Sequence, residues 1–224
     1  MIRPPRRITV IAPHPDDETL GAGGTIARFA ADGCAVSVLI VSGHLPPLYP
    51  PSAFETTRRE AAEAARILGV AQIEFLEIPA TLVHQRPVAE VNGAINQFVR
   101  ATEPDWVMLP FPDRHIDHRT VFDASVVACR PVHAAAPKVV LAYETLSETH
   151  WNVGGIEPAF IPDFYVDISG DPLIKKRAAL DAYASQVHAT PSRSIEASEA
   201  LAKFRGSQNG CDHAEAFKVV RIVV

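Results

Sequence analysis

Short β-branched apolar runs alternate with longer stretches of helical spacing along the first half of the chain. Ile8–Ala12 is a compact apolar run and predicts a buried strand. Gly24–Asp32 carries Ile26, Phe29 and Ala30 at helical spacing and stops at Gly33. Cys34–Val41 predicts a second buried strand, followed by a loop with Pro46, Pro47, Pro50 and Pro51, which continues neither element. Glu55–Leu68 is the clearest helix, with Ala61, Ala64, Ala65 and Leu68 on one stripe and Gly69 as its stop. A strand at Ile73–Leu76, a helix at Val88–Thr102 and a strand at Trp106–Leu109 follow. Strands separated by helices of this length predict right-handed βαβ units in a parallel sheet.

The second half is less regular. Thr120–Ala128 predicts a helix, and Val139–Tyr143 and Phe164–Ile168 predict strands. Asp171 as a cap before Pro172 opens a helix to about Tyr183. Ile195–Arg205 reads as a helix and Phe217–Val224 as a closing strand. There is no internal repeat and no linker-like tract. The expected architecture is one α/β domain over residues 1–224, a Rossmann-like, mostly parallel sheet with helices on both faces. Residues 1–130 form the core with the functional site, and 131–224 a smaller, irregular elaboration of substrate-shaping loops, helices and a closing strand.

Composition narrows the class. The 224 residues are 47% hydrophobic and 21% charged, ordinary values for a globular chain. A net charge of −5 disfavours a nucleic-acid partner. Cys34, Cys129 and Cys211 are odd in number and far apart, which fits a reducing compartment rather than a disulfide framework. The basic start, Arg3 to Arg7, leads into only the five apolar-leaning residues Ile8–Ala12, too short for a signal h-region. With no apolar run of about 20 residues, a cytoplasmic protein without a membrane partner is expected.

Ligand sites in open α/β sheets lie beyond the carboxyl ends of the strands. Two such ends are crowded with metal-capable residues: His14-Pro15-Asp16-Asp17-Glu18, and Pro112-Asp113-Arg114-His115-Ile116-Asp117-His118. Either cluster alone would pass for a solvated helix start, but parallel topology puts both on one edge of the sheet. Imidazole and carboxylate suit zinc with an open position for water, and His14, Asp17 and His118 are the candidate ligands. Asp16 is the candidate base and His115 the candidate acid. Spacing alone does not say which carboxylate binds metal and which takes the proton.

Ala12-Pro13-His14-Pro15-Asp16-Asp17-Glu18, followed by Gly21-Ala22-Gly23-Gly24 and then His115-Ile116-Asp117-His118, resembles the LmbE-like (PIG-L) family of metal-dependent deacetylases. Arg58-Arg59-Glu60-Ala61 leading to Leu68-Gly69, Tyr183-x-x-Gln186 and Ala214-Glu215-Ala216-Phe217 resemble further family segments. The resemblance implies hydrolysis of an N-acyl group, usually the N-acetyl of a glucosamine-type sugar, at a zinc site; Fe²⁺, Mn²⁺ or Co²⁺ would also suit the donors. It assigns His14, Asp17 and His118 to the metal, Asp16 to the general base, and His115 to the oxyanion or the leaving amine. Asp117 it makes the carboxylate that tunes a neighbouring histidine. The family's helix arginine falls at Thr57, so Arg58 replaces it with a shifted reach, and Asp113 stands where some members carry an oxyanion-holding tyrosine. His44 and Trp151 are further candidates for substrate contact. Tyr143 stacking on a sugar, Glu144 near the metal, and Arg205 or Glu215 near substrate are weaker expectations. The expected partner is a small N-acetylated amino sugar or conjugate, and family members commonly form homo-oligomers.

Dinucleotide binding is disfavoured, because Ile26 breaks G-x-G-x-x-G and the loop before it is acidic. No G-x-S-x-G elbow supports a serine hydrolase. A metal-dependent amidohydrolase or phosphoesterase on a non-sugar substrate, and a non-catalytic metal- or sugar-binding module, are the competing readings.

Overall fold

The computed structural model describes residues 4–186 and 191–224. His188, a histidine with no motif around it, lies outside the described residues.

The chain runs β1 (Arg7–Ala12), α1 (Asp17–Ala31), β2 (Ala35–Gly43), α2 (Ser52–Leu68), β3 (Gln72–Pro79), α3 (Val88–Thr102) and β4 (Trp106–Pro110). It continues with α4 (Ile116–Ala128), β5 (Val139–Tyr143), β6 (Phe164–Asp167), α5 (Asp171–Ala182), α6 (Ile195–Ser207) and β7 (Ala214–Ile222). The seven strands form one sheet in the order β3-β2-β1-β4-β5-β7-β6. The pairs β2–β3, β1–β2, β1–β4 and β4–β5 are parallel, whereas β7 is antiparallel to both β5 and β6. The fold is therefore α/β, as the alternating pattern predicts, with one reversed strand inserted near the edge.

The period-2 alternation of the strands divides the core. Ile8, Val10 and Ala12 of β1, with Val36, Val38 and Ile40 of β2, pack under α1, α2, α5 and α6 through Leu20, Ile26, Ala64, Leu68, Leu180 and Ala202. Ile11, Leu39 and Val41 face the other way and meet α3 and α4 through Val91, Ile95, Phe98, Val121 and Ala124. Strands buried on both faces need apolar residues at every position, which is why they read as continuous runs.

Some predicted boundaries shift. The first helix begins at Asp17, not Gly24, and the fourth at Ile116, not Thr120. The cap of α5 is Gly170 rather than Asp171, and the last strand begins at Ala214 rather than Phe217. Among the described residues, no helix is long and apolar enough to cross a membrane.

The Gly21-Ala22-Gly23-Gly24 stretch has a packing reason. A Cβ on Gly21 would overlap the Tyr143 ring, and one on Gly24 would stand 2.7 Å from Ile168 Cδ1. Glycine lets α1 approach β5 and the segment after β6 closely enough to seat its N-terminus at the strand ends. Glu215 of β7 fastens the same helix, accepting from the backbone N–H of Gly24 at 2.9 Å and of Thr25 at 2.7 Å. Lys176 Nζ neutralises that buried carboxylate at 2.6 Å.

Candidate metal centre

Both acidic histidine clusters sit where strands β1 and β4, neighbours in the sheet, hand over to helices α1 and α4. Asp16 caps α1 with its carbonyl, which accepts from Thr19 N at 3.0 Å and Leu20 N at 2.8 Å. Its φ of 110° is unusual for a residue with a Cβ, and such strain persists where surroundings over-determine it. Glu18 supplies part of that restraint: its carboxylate accepts from Asp16 N at 3.2 Å, Thr19 Oγ1 at 2.6 Å and the Tyr183 hydroxyl at 2.6 Å. Tyr183 of the family-like Tyr183-x-x-Gln186 segment thus braces the first motif. At the other cluster, His115 caps α4, its Nδ1 accepting from Asp117 N at 3.2 Å.

The two loops interlock. Asp17 Oδ2 lies 3.1 Å from His14 Nδ1 and 3.3 Å from His118 Nε2. The outward nitrogens are held from behind: His14 Nε2 is 2.9 Å from Asp117 Oδ2, and His118 Nδ1 is 2.9 Å from Asp113 Oδ2. Asp117 is fixed in turn by Thr81 N at 2.6 Å, and Asp113 by the Thr149 hydroxyl at 3.0 Å and His115 N at 3.0 Å. Carboxylates behind the outer nitrogens of two histidines whose inner nitrogens converge is the arrangement that orients metal ligands.

His14, His115 and His118 each offer a ring nitrogen within 4.8 Å of the others. His14 stands edge-on to His115 with centroids 4.6 Å apart. His118 Nε2 is fully buried and makes no hydrogen bond of good geometry among the described residues, with Asp17 Oδ2 beside it at 3.3 Å, so a cation held between this nitrogen and that carboxylate would satisfy both. The donor set, imidazole nitrogen with carboxylate oxygen, fits zinc. Two overlapping triads are available, with either Asp17 or His115 as third member. Asp17 sits between the two converging nitrogens, while His115 commits Nδ1 to capping α4, so geometry favours His14, Asp17 and His118.

The electrostatics agree. Burial opposes charge on His14, yet bonds from Asp117 and Asp17 raise its pKa to about 9. Burial likewise opposes charge on His118, and Asp17 and Asp113 raise it to about 10. Burial would raise Asp17, but His118 and His14 hold it well below its ordinary value. The carboxylates therefore draw positive charge to this point. Burial pushes Asp16 up to about 8 against the pull of Arg193. Burial, with the neighbouring charges of His14 and His118, lowers His115 to about 4. His115 is thus neutral rather than protonated at neutral pH. With Nδ1 accepting from Asp117 N, its proton is assigned to Nε2.

The structure separates the weaker candidates. Asp113 is 1% exposed and spent on His118, His115 and Thr149, so it orients a ring instead of meeting substrate. Arg58 points outward to Glu77 at 3.2 Å and lies over the Phe75 ring. Thr57, at the family's arginine position, faces the core. Tyr143 is 0% exposed, its hydroxyl donating to Ile11 O at 2.8 Å, so it cannot stack on a sugar. Glu144 is paired with Arg205 at 2.7 Å and His150 at 3.2 Å, and Glu215 fastens α1; Glu144, Arg205 and Glu215 are all occupied by structural contacts. His44 packs against Tyr49, and burial with the charges of His14 and Arg193 lowers it to about 4. Trp151 remains half exposed beside Arg114, which donates to its carbonyl at 3.4 Å. Arg193, Thr149 and Thr81 reach the site with no motif to announce them. Each lies in a loop without periodicity, brought in only by the fold.

Comparison with known proteins places this geometry. The family model described as GlcNAc-PI de-N-acetylase (PIG-L) matches residues 9–129, the span containing both clusters. A 1D-myo-inositol 2-acetamido-2-deoxy-alpha-D-glucopyranoside deacetylase of Rhodococcus opacus is 27% identical over 84% of each chain. A diacetylchitobiose deacetylase of Thermococcus kodakarensis is 29% identical over 77% of this chain and 67% of its own. Among solved structures, a conserved protein of Thermus thermophilus is 30% identical with a TM-score of 0.75, covering 97% of this chain and 96% of its own. The 4-carboxy-2-hydroxymuconate hydratase of Pseudomonas putida superposes with a TM-score of 0.79 over 98% of each chain, but at 22% identity it speaks for the fold alone. With the match over residues 9–129 spanning more than half of the 224, the chain belongs to the GlcNAc-PI de-N-acetylase (PIG-L) family of metal-dependent deacetylases, enzymes that hydrolyse amide bonds.

Proposed function

We propose that this protein is a zinc-dependent N-deacetylase of a small amino-sugar substrate, a GlcNAc derivative or conjugate, working in the cytoplasm. The observation that carries the reading is the convergence of His14 Nδ1 and His118 Nε2 on Asp17 Oδ2, each ring held from behind by an aspartate. His14, Asp17 and His118 would hold the ion. A divalent metal bound there supplies Lewis-acid polarisation of the amide carbonyl and acidifies water.

The chain's own groups do the rest. Asp16, next to a ligand, takes up a proton from the attacking water at its carboxylate and passes it on toward the leaving amine. His115, neutral with its proton on Nε2, offers an N–H to the developing oxyanion, and the leaving amine takes its proton from this pair of groups. Asp117 keeps the His14 ring in place. Trp151, half exposed on the loop that meets Arg114, offers an apolar face to a pyranose. The acyl-sugar substrates named for the Rhodococcus and Thermococcus relatives support the substrate class.

The test is acetate release from a panel of N-acetylated amino sugars, using protein prepared without chelator, stripped with EDTA, and reloaded with zinc. Acetate that vanishes with EDTA and returns with zinc is expected. Asp16→Asn should lower turnover by ~10²–10⁴-fold with metal content unchanged; near-normal turnover in that variant would remove Asp16 from the base role.

A further inference from the structure

We propose that Arg193, on the turn leading into α6, is a positioning residue for this reaction: it holds the Asp16 carboxylate toward the reaction centre and ties it to the loop between β5 and β6. The inference rests on Asp16 being the base.

The guanidinium is anchored on two sides. Its Nε donates to Ser147 Oγ at 2.7 Å, and its Nη2 meets Glu148 Oε1 at 3.1 Å. The remaining Nη1 lies 3.4 Å from Asp16 Oδ2. Two strong contacts to one loop leave the third arm aimed at the carboxylate, and the planar fork of arginine fixes that direction as an ammonium would not. Arg193 is 28% exposed at the side chain and Asp16 2%, so the contact is largely shielded from solvent.

The surroundings indicate why such an anchor is needed. The backbone of Asp16 is pinned by Glu18 and by its capping role. Among the described residues, though, no hydrogen bond to its carboxylate comes from its own loop or from α1; the one its oxygens receive is from Arg193. Asp17, one residue on, has both histidines to hold it. Ser147 itself has a positive φ of 76° and is 2% exposed, a rigid seat for the guanidinium. Thr149, two residues beyond, bonds the Asp113 that orients His118. One loop therefore steadies the base through Arg193 and a ligand histidine through Asp113.

The test compares wild type, Arg193→Ala, Arg193→Lys and Asp16→Asn, alone and combined, using acetate release from N-acetylglucosamine and N,N′-diacetylchitobiose, metal content, and crystal structures. In Arg193→Ala, kcat should fall by ~10–100-fold with little change in KM and with full metal content. Lysine should restore part of the loss, and added guanidinium chloride should restore part of it in the alanine variant. In the Asp16→Asn background, Arg193→Ala should cost nothing further, because it acts through that carboxylate. The crystal structure of Arg193→Ala should show the Asp16 side chain out of place while His14, Asp17 and His118 are unmoved. An unmoved Asp16, an unchanged kcat, a loss of metal, or an undiminished Arg193→Ala effect in the Asp16→Asn background would each overturn the proposal. A wild type that releases no acetate, together with a displaced Asp16 in Arg193→Ala, would instead overturn the deacetylase reading and leave the positioning contact standing.

Discussion

A histidine that serves a metal must turn one nitrogen inward and have the other engaged, and here two aspartates from the second cluster do that. Asp113 backs His118 and Asp117 backs His14, each at 2.9 Å. Asp113→Asn keeps the shape but loses the charge, and zinc affinity is expected to drop ~10–100-fold, read by competition with a chromogenic chelator, with the fold intact by circular dichroism. Unchanged affinity would show that the second oxygen partner of His118 is dispensable. The two clusters were legible in the sequence because they follow strand ends at short, fixed spacings, and the fold brings His14, Asp17 and His118 within reach of one another. Asp113, at the position of some members' tyrosine and expected near substrate, instead turns back to His118 Nδ1 at 2.9 Å. Arg193 was invisible, since an arginine 177 residues from its aspartate carries no local pattern.

At the scale of elements, function hid the starts of two helices. The residues from Asp17 to Ala27 are all buried, polar Asp17, Glu18 and Thr19 among them. A helix buried all round shows no apolar stripe, so the amphipathic signal of α1 appears only where it emerges, near Phe29. The same holds for α4, where Asp117 and His118 are buried in the first turn. The glycines of α1, easily taken for a phosphate loop, instead set the distance to Tyr143 and Ile168. Gly24→Ala would bring a methyl group to 2.7 Å from Ile168. It is expected to cost ~1–3 kcal/mol in urea unfolding and to lower turnover by shifting α1; a neutral substitution would mean that Ile168 gives way freely.

For the molecule as a whole, buried ion pairs knit the second half together, and one of them, Lys176–Glu215, also hydrogen-bonds the backbone of α1. Lys176→Met would strand Glu215 without its cation, an expected loss of ~3–5 kcal/mol in denaturant unfolding. Glu144 gives a pH signature. Burial would raise its pKa, but His150 and Arg205 hold it below its ordinary value. A depressed carboxylate contributes stability above its unfolded pKa, about 4.3, and loses it as pH falls through the folded value. The stability gap between wild type and Glu144→Gln should therefore be full at pH 7 and narrow below about pH 4; a gap that does not vary with pH would exclude Glu144 as its source. From the sequence, Glu144 was expected near the metal and Arg205 or Glu215 near substrate, and Lys176 was not singled out, because the pairs Glu144–Arg205 and Lys176–Glu215 join different elements.

The reversed strand β7 has a consequence for synthesis. Strands β1 to β5 can pair as they emerge from the ribosome, each beside one already made, but β5 then presents an open row of backbone groups. β6 emerges next and cannot cover it, since its partner in the sheet is β7, which alone bridges the two. For several seconds at ordinary translation speed, the nascent chain carries an apolar edge, Val139–Tyr143, open to any other extended chain nearby. A pause in translation between β5 and β7 would prolong that exposure, so the pace of decoding over this stretch bears on how much of the enzyme is made in usable form.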